Sequence, residues 1–110
     1  MSVSTPDLID RYFAASAARD TEAVVGLFSQ DGVVLDEEKT WRGPSEIRAW
    51  REGPAAAYQY TTEVLGIEHA GGADYVARVR LDGNFPGGTV ELRHRFTIDT
   101  DGIRRLEIAP

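Results

Sequence analysis

The sequence predicts an α+β domain in which N-terminal helices pack on an antiparallel sheet. Three observations carry this expectation. Before Gly53, apolar residues recur at helical spacing and are punctuated by helix-start signals. After Pro54 the period changes to two, in segments separated by glycine-containing turns. The helical part comes early and the strand part late, which is the order of an α+β arrangement.

The elements follow in order. Thr5-Pro6-Asp7 is a helix start: Thr5 can cap, Pro6 suits the first helical position and Asp7 complements the helix dipole. Leu8, Ile9, Tyr12, Phe13 and Ser16 then share a face, and the helix should end near Ala18-Arg19. Asp20 caps a second short helix with Ala23, Val24, Leu27 and Phe28 on one side, and Gln30-Asp31-Gly32 reads as a turn. Val33-Val34-Leu35 is a first strand ending at Asp36, and Glu37-Glu38-Lys39-Thr40 is a polar loop. Trp41-Arg42-Gly43-Pro44 leads into a third helix, closed by Gly53, whose apolar stripe is Ile47 and Trp50.

The late part predicts four strands in a meander. Tyr60 to His69 is followed by the Ala70-Gly71-Gly72 turn. From Ala73 to Asp82, Tyr75, Ala77, Val79 and Leu81 lie on one face and Arg78, Arg80 and Asp82 on the other. A loop from Gly83 to Gly88 precedes Thr89 to Asp99, where Val90, Leu92, His94, Phe96 and Ile98 alternate with Glu91, Arg93, Arg95, Thr97 and Asp99. Asp101-Gly102 is a hairpin turn into Ile103 to Ile108.

Composition bounds the function. The 110 residues fit a single domain, and a hydrophobic fraction of 42% suffices for one core. A net charge of −6 and the lack of a Lys/Arg cluster with interleaved aromatics argue against nucleic-acid binding and against anionic membranes. No apolar run approaches the ~20 residues of a membrane span. The start of the chain has neither the basic nor the apolar region of a signal peptide, and there is no cysteine, so a cytoplasmic location is expected. Two histidines, His69 and His94, without a ligand-spaced partner imply no metal site, and no phosphate-binding glycine loop or nucleophile elbow occurs, so no cofactor is expected. His94 is the anomaly of the strands: it interrupts an otherwise apolar face, where an imidazole needs a hydrogen-bond partner.

Several segments carry a family likeness: Leu8-Ile9-Asp10-Arg11-Tyr12-Phe13-Ala14-Ala15, Val25-Gly26-Leu27-Phe28-Ser29-Gln30-Asp31-Gly32-Val33-Val34, Trp41-Arg42-Gly43-Pro44-Ser45-Glu46-Ile47, Arg95-Phe96-Thr97-Ile98-Asp99 and Asp101-Gly102-Ile103. In this order they resemble the NTF2-like superfamily, which includes the SnoaL-like proteins and the ketosteroid isomerases. The likeness covers nearly the whole chain and implies that residues 1–110 form a single SnoaL-like (NTF2-like) domain. Its shape would be a cone, with a curved antiparallel sheet wrapping a pocket capped by the helices. It also implies a homodimer through the sheet. Fold does not give activity, since such a scaffold hosts isomerases, cyclases and binding proteins alike.

The resemblance also implies roles. Tyr12 matches a helix-one tyrosine that donates a hydrogen bond to a developing oxyanion; it could equally be a core aromatic. Asp36 matches the general-base aspartate of ketosteroid isomerases, the handling of a carbon acid by a buried carboxylate; it could instead open a solvated acidic loop. His94 stands where those isomerases carry a protonated aspartic acid, and a neutral imidazole could donate to the same oxyanion. Phe13, Trp41, Trp50, Tyr58, Tyr60, Phe85 and Phe96 are candidates to line an apolar ligand pocket or to fill the core. Arg78, Arg80, Arg93 and Arg95 read as outward-facing, which discounts the epoxide-hydrolase pattern of aspartates bridged by a pocket arginine. Glu107 reads as outward too, so the late strands offer no carboxylate of the cyclase kind. The expected function is a cofactor-independent isomerase, lyase or cyclase acting on a small apolar carbonyl compound. The alternative is a non-catalytic ligand-binding or dimeric interaction domain.

Overall fold

The structure, a computed structural model, describes residues 4–53 and 56–110, with side chains from Asp7 onward. The proposed roles of Thr5, Pro6 and Pro54 therefore lie outside the described residues and side chains. Helix α1 spans Ser4–Ala17 and α2 spans Thr21–Gly26. Strands β1 (Phe28–Asp36) and β2 (Lys39–Arg42) precede α3 (Gly43–Glu52). Four long strands follow: β3 (Tyr60–Gly71), β4 (Asp74–Gly83), β5 (Thr89–Asp99) and β6 (Gly102–Ala109).

Local chemistry explains the helix limits. The Asp20 carboxylate accepts from the Ala23 N–H at 3.1 Å and so caps α2. At the start of α3 the Glu46 carboxylate reaches back to the Arg42 N–H at 2.7 Å, Pro44 sits in the first turn, and the Gly53 N–H closes the far end on the Ala49 carbonyl. Helix α2 is shorter than its apolar spacing suggests. It buries Val24 and Val25, leaves Ala23 exposed, and hands Phe28 to β1.

The sheet runs β2-β1-β6-β5-β4-β3. The meander from β3 to β6 is antiparallel, as the alternation predicts. The sheet as a whole is mixed, because β1 lies parallel to β6, with Val34 opposite Leu106 and Asp36 opposite Ile108. An antiparallel sheet was expected because tight turns reveal only neighbours in sequence, and this pair is distant. Two local readings also change. Gln30-Asp31-Gly32 is no turn; it is part of β1, where the register to β6 shifts between Phe28 and Val33. A Cβ on Gly32 would come within 2.9 Å of the Ser29 carbonyl, so the irregular stretch requires glycine. The expected polar loop is a turn at Glu37-Glu38, both at positive φ (53° and 66°), from which Lys39-Thr40 return as β2.

Further register shifts in β3 and between β5 and β6 bend the sheet around the helices. The core is the layer between them: Ile9 and Tyr12 of α1, Ile47 and Trp50 of α3, and Val34, Ala77, Val79, Phe96 and Leu106 of the sheet are all buried. Among the described residues no helix is long and apolar enough to cross a membrane.

Candidate functional site

A cavity of about 970 Å³ lies between α1, the end of α3 and the concave face of the sheet. That is within the range of small-molecule sites, roughly 300–1,000 Å³. The inward register of β1 puts Val34 in the core and carries Asp36, two residues on, to the cavity wall. The same alternation in β5 aims Leu92 and His94 inward beside Val90. Helix α1 contributes Tyr12, Phe13 and Ser16 from one face, and the last turn of α3 contributes Trp50 and Arg51. Tyr58 and Phe85, packed edge to face at 6.0 Å, stand in the wall with Tyr60.

The three residues expected to carry chemistry thus share one cavity, and none is hydrogen-bonded to another among the described residues. Asp36 is half-buried and takes a hydrogen bond from the Trp50 indole N–H, 3.0 Å from Nε1 to Oδ2. The indole fixes the carboxylate's direction and leaves its other oxygen open. Tyr12 is 2% exposed, and its ring meets Phe13, Phe28 and Phe96 edge to face. Burial holds its phenol well above the ordinary tyrosine value; the Arg51 guanidinium beside it pulls the other way. At neutral pH Tyr12 is a hydrogen-bond donor.

His94 packs against aromatic rings, 5.4 Å from Phe13 and 6.3 Å from both Tyr12 and Phe96 between centroids. Its Nδ1 is buried and has no hydrogen-bond partner. Burial pushes its pKa down to about 4, so the imidazole is neutral at pH 7 and keeps one N–H donor.

Of the apolar candidates, Phe13, Trp50, Tyr58, Tyr60 and Phe85 line the cavity. Phe96 and Trp41 do not. Phe96 is fully buried in the core, and Trp41, opposite Val34 on the edge strand β2, packs on the core from the side. Alternation tells which face a side chain takes and not whether a void adjoins it. Arg78, Arg80, Arg93 and Arg95 are exposed, as the alternation implies, and Glu107 shares that outer face with Arg105, 3.6 Å away.

The cavity wall also holds a cation that was not among the expected site residues. Arg51 is 8% exposed and lines the wall beside Tyr12 and Trp50, its guanidinium 5.4 Å from the Trp50 ring centroid. The outward reading of Arg78, Arg80, Arg93 and Arg95 holds, but it does not extend to Arg51. The signal was present: Arg51 completes the i, i+3, i+4 stripe begun by Ile47 and Trp50.

No functionally curated protein matches the chain in sequence. Solved structures do. A candidate polyketide cyclase from Sinorhizobium meliloti is 36% identical over 94% of each chain, with a TM-score of 0.86. A protein from Sphaerobacter thermophilus is 27% identical over 94% of this chain and 92% of its own, with a TM-score of 0.80. A Δ5-3-ketosteroid isomerase from a Mycobacterium species shares the fold at 15% identity, covering 99% of this chain and 94% of its own with a TM-score of 0.81. The family profile of the SnoaL-like domain matches residues 9–106. With helices, mixed curved sheet and profile in agreement, the chain belongs to the SnoaL-like family of NTF2-like α+β cone folds.

Proposed function

We propose that this SnoaL-like domain holds a small apolar carbonyl compound and moves a proton on it without a cofactor. The observation that carries the reading is the convergence of a carboxylate and two neutral donors on one aromatic-lined cavity. Asp36 takes a proton from the carbon next to the carbonyl, and the electron pair moves onto the carbonyl oxygen. Tyr12 O–H and the His94 N–H donate to that oxygen as its charge develops, in a site where low dielectric strengthens both bonds. Return of the proton to a second carbon completes an isomerisation; loss of a leaving group completes an elimination. The Tyr12 and His94 rings lie 6.3 Å apart between centroids and both line the cavity. The names of two similar structures, a candidate polyketide cyclase and a ketosteroid isomerase, support the choice of a carbonyl substrate.

The Trp50–Asp36 hydrogen bond also favours a second reading, because it holds one carboxylate oxygen as an acceptor within the protein. In that case the cavity binds without converting. The test is Asp36→Asn, assayed by deuterium exchange into cyclic ketone ligands and by thermal unfolding. Loss of about 10²-fold or more of exchange with an unchanged transition is the expected result. Exchange at the wild-type rate in the variant refutes catalysis; ligand-dependent stabilisation in both forms without exchange supports the binding reading.

A further inference from the structure

Arg51 has no role in the proton transfer outlined above, yet among the described residues it is the one cation in the cavity wall. Arginine is seldom buried to 8% exposure without a carboxylate beside it. Among the described residues no carboxylate lies within ion-pair distance of Arg51. Asp36, one of the acids that line the same cavity, is engaged by Trp50 instead. One Nη of Arg51 makes a long contact of 3.5 Å to the Ser16 carbonyl, and its Nε is covered and has no partner. The Tyr12 hydroxyl oxygen is a further acceptor beside the guanidinium, but five N–H donors still exceed these neutral partners, and no carboxylate answers the charge.

An unpaired buried cation is costly, and a neutral occupant would worsen matters by displacing the water that solvates it. An anion would reverse that. Glu37, Glu38 and Glu107 also line the cavity, but Glu37 and Glu38 are exposed on a turn, where solvent and salt screen them, and Glu107 is paired with Arg105 at 3.6 Å. Arg51, in low dielectric, acts at full strength on anything within contact distance. Tyr12, whose hydroxyl lies beside the guanidinium, adds a neutral donor.

Resting on the reading that the cavity holds a small molecule, we propose that its occupant is an apolar carboxylate, whose carboxylate takes a forked contact from Arg51 while its hydrocarbon body lies against Phe13 and Leu92. Combined with carbonyl chemistry at Asp36, the substrate class is an apolar oxo acid. The guanidinium fork matches two carboxylate oxygens at once, which an amide or ester cannot reproduce.

The test uses two near-isosteric probes, 1-naphthylacetate and 1-naphthylacetamide, titrated calorimetrically into the wild-type chain and into Arg51→Gln and Arg51→Lys at neutral pH. The acid should bind wild type at least about tenfold more tightly than the amide, the size of a charge-assisted contact. Arg51→Gln should bring the two probes to within about twofold, at the amide's wild-type affinity, and Arg51→Lys should keep part of the preference. Equal binding of the two probes to wild type overturns the carboxylate assignment while leaving the cavity a binding site. So does a preference that survives Arg51→Gln. Failure of both probes to bind at millimolar concentration overturns the small-molecule reading and this inference with it. If Arg51→Gln does not fold, the wild-type comparison and Arg51→Lys decide the matter.

Discussion

Replacing His94 by leucine should make the protein more stable, and by an amount that grows as the pH falls. At pH 7.5 the imidazole is neutral in both folded and unfolded chains, so the gain comes from removing the unpartnered Nδ1 from an apolar wall. An unsatisfied buried polar atom costs about 1–3 kcal/mol, and leucine restores similar volume, so about 1 kcal/mol is expected. Acid adds a second effect. The unfolded chain's histidine takes up a proton near pH 6.5, whereas the folded one, its charged form disfavoured by burial, waits until about 4. Between those values the unfolded state binds more protons, so wild-type stability falls with pH by up to ~1.4 kcal/mol per unit. Across the window this reaches about 3 kcal/mol, and below pH 4 both states are protonated and the loss stops growing. Leucine carries no such dependence. Urea unfolding followed by tryptophan fluorescence, at intervals from pH 7.5 to 4, measures the difference between the two proteins, in which the common carboxylate titrations cancel. A difference that stays flat or shrinks as the pH falls would refute both the burial of His94 and its neutrality.

Two further perturbations test the frame around the cavity. Phe96→Ala removes a fully buried ring that touches Tyr12, Phe13 and His94, and should cost about 3–5 kcal/mol in chemical denaturation; less than about 1 kcal/mol would mean the core is looser than described. Gly102→Ala forces a side chain onto a φ of +134° and puts its Cβ 2.5 Å from the Leu27 carbonyl oxygen, which is itself held by the Ile103 N–H at 2.9 Å. A loss of at least ~2 kcal/mol is expected, visible as a lowered thermal midpoint, and a wild-type midpoint would contradict the hairpin geometry.

What the sequence made legible follows from what each element asks of its residues. Strands β4 and β5 face the core on one side and solvent on the other, so Ala77 to Leu81 and Val90 to Ile98 wrote their faces in alternation. Strand β2 has four residues on a sheet edge, none of them buried, and so no burial pattern to write. The place of β1 beside β6 is set by tertiary packing, to which neither segment's composition testifies. In the site, Asp36, Tyr12 and His94 were visible as polar groups at inward positions. Their partners were not. The Trp50 bond to Asp36 joins a helix to a strand end, and Arg51 was hidden because a charged residue next to an apolar stripe is usually solvent-facing.

The parallel contact between β1 and β6 has a kinetic consequence. Val34 finds its neighbour at Leu106 only after the whole intervening chain has been laid down, and Phe28 and Ile103 must meet across a similar span. Pairings of such high contact order form late, because loop-closure entropy is spent before they repay it. The hairpins from β3 to β6 can close first, each on a near neighbour. Asp36 reaches its place only when β1 docks on that finished meander, so the acid enters the cavity in the last act of folding. Regain of any activity that depends on Asp36 should therefore lag behind the strand signal during refolding.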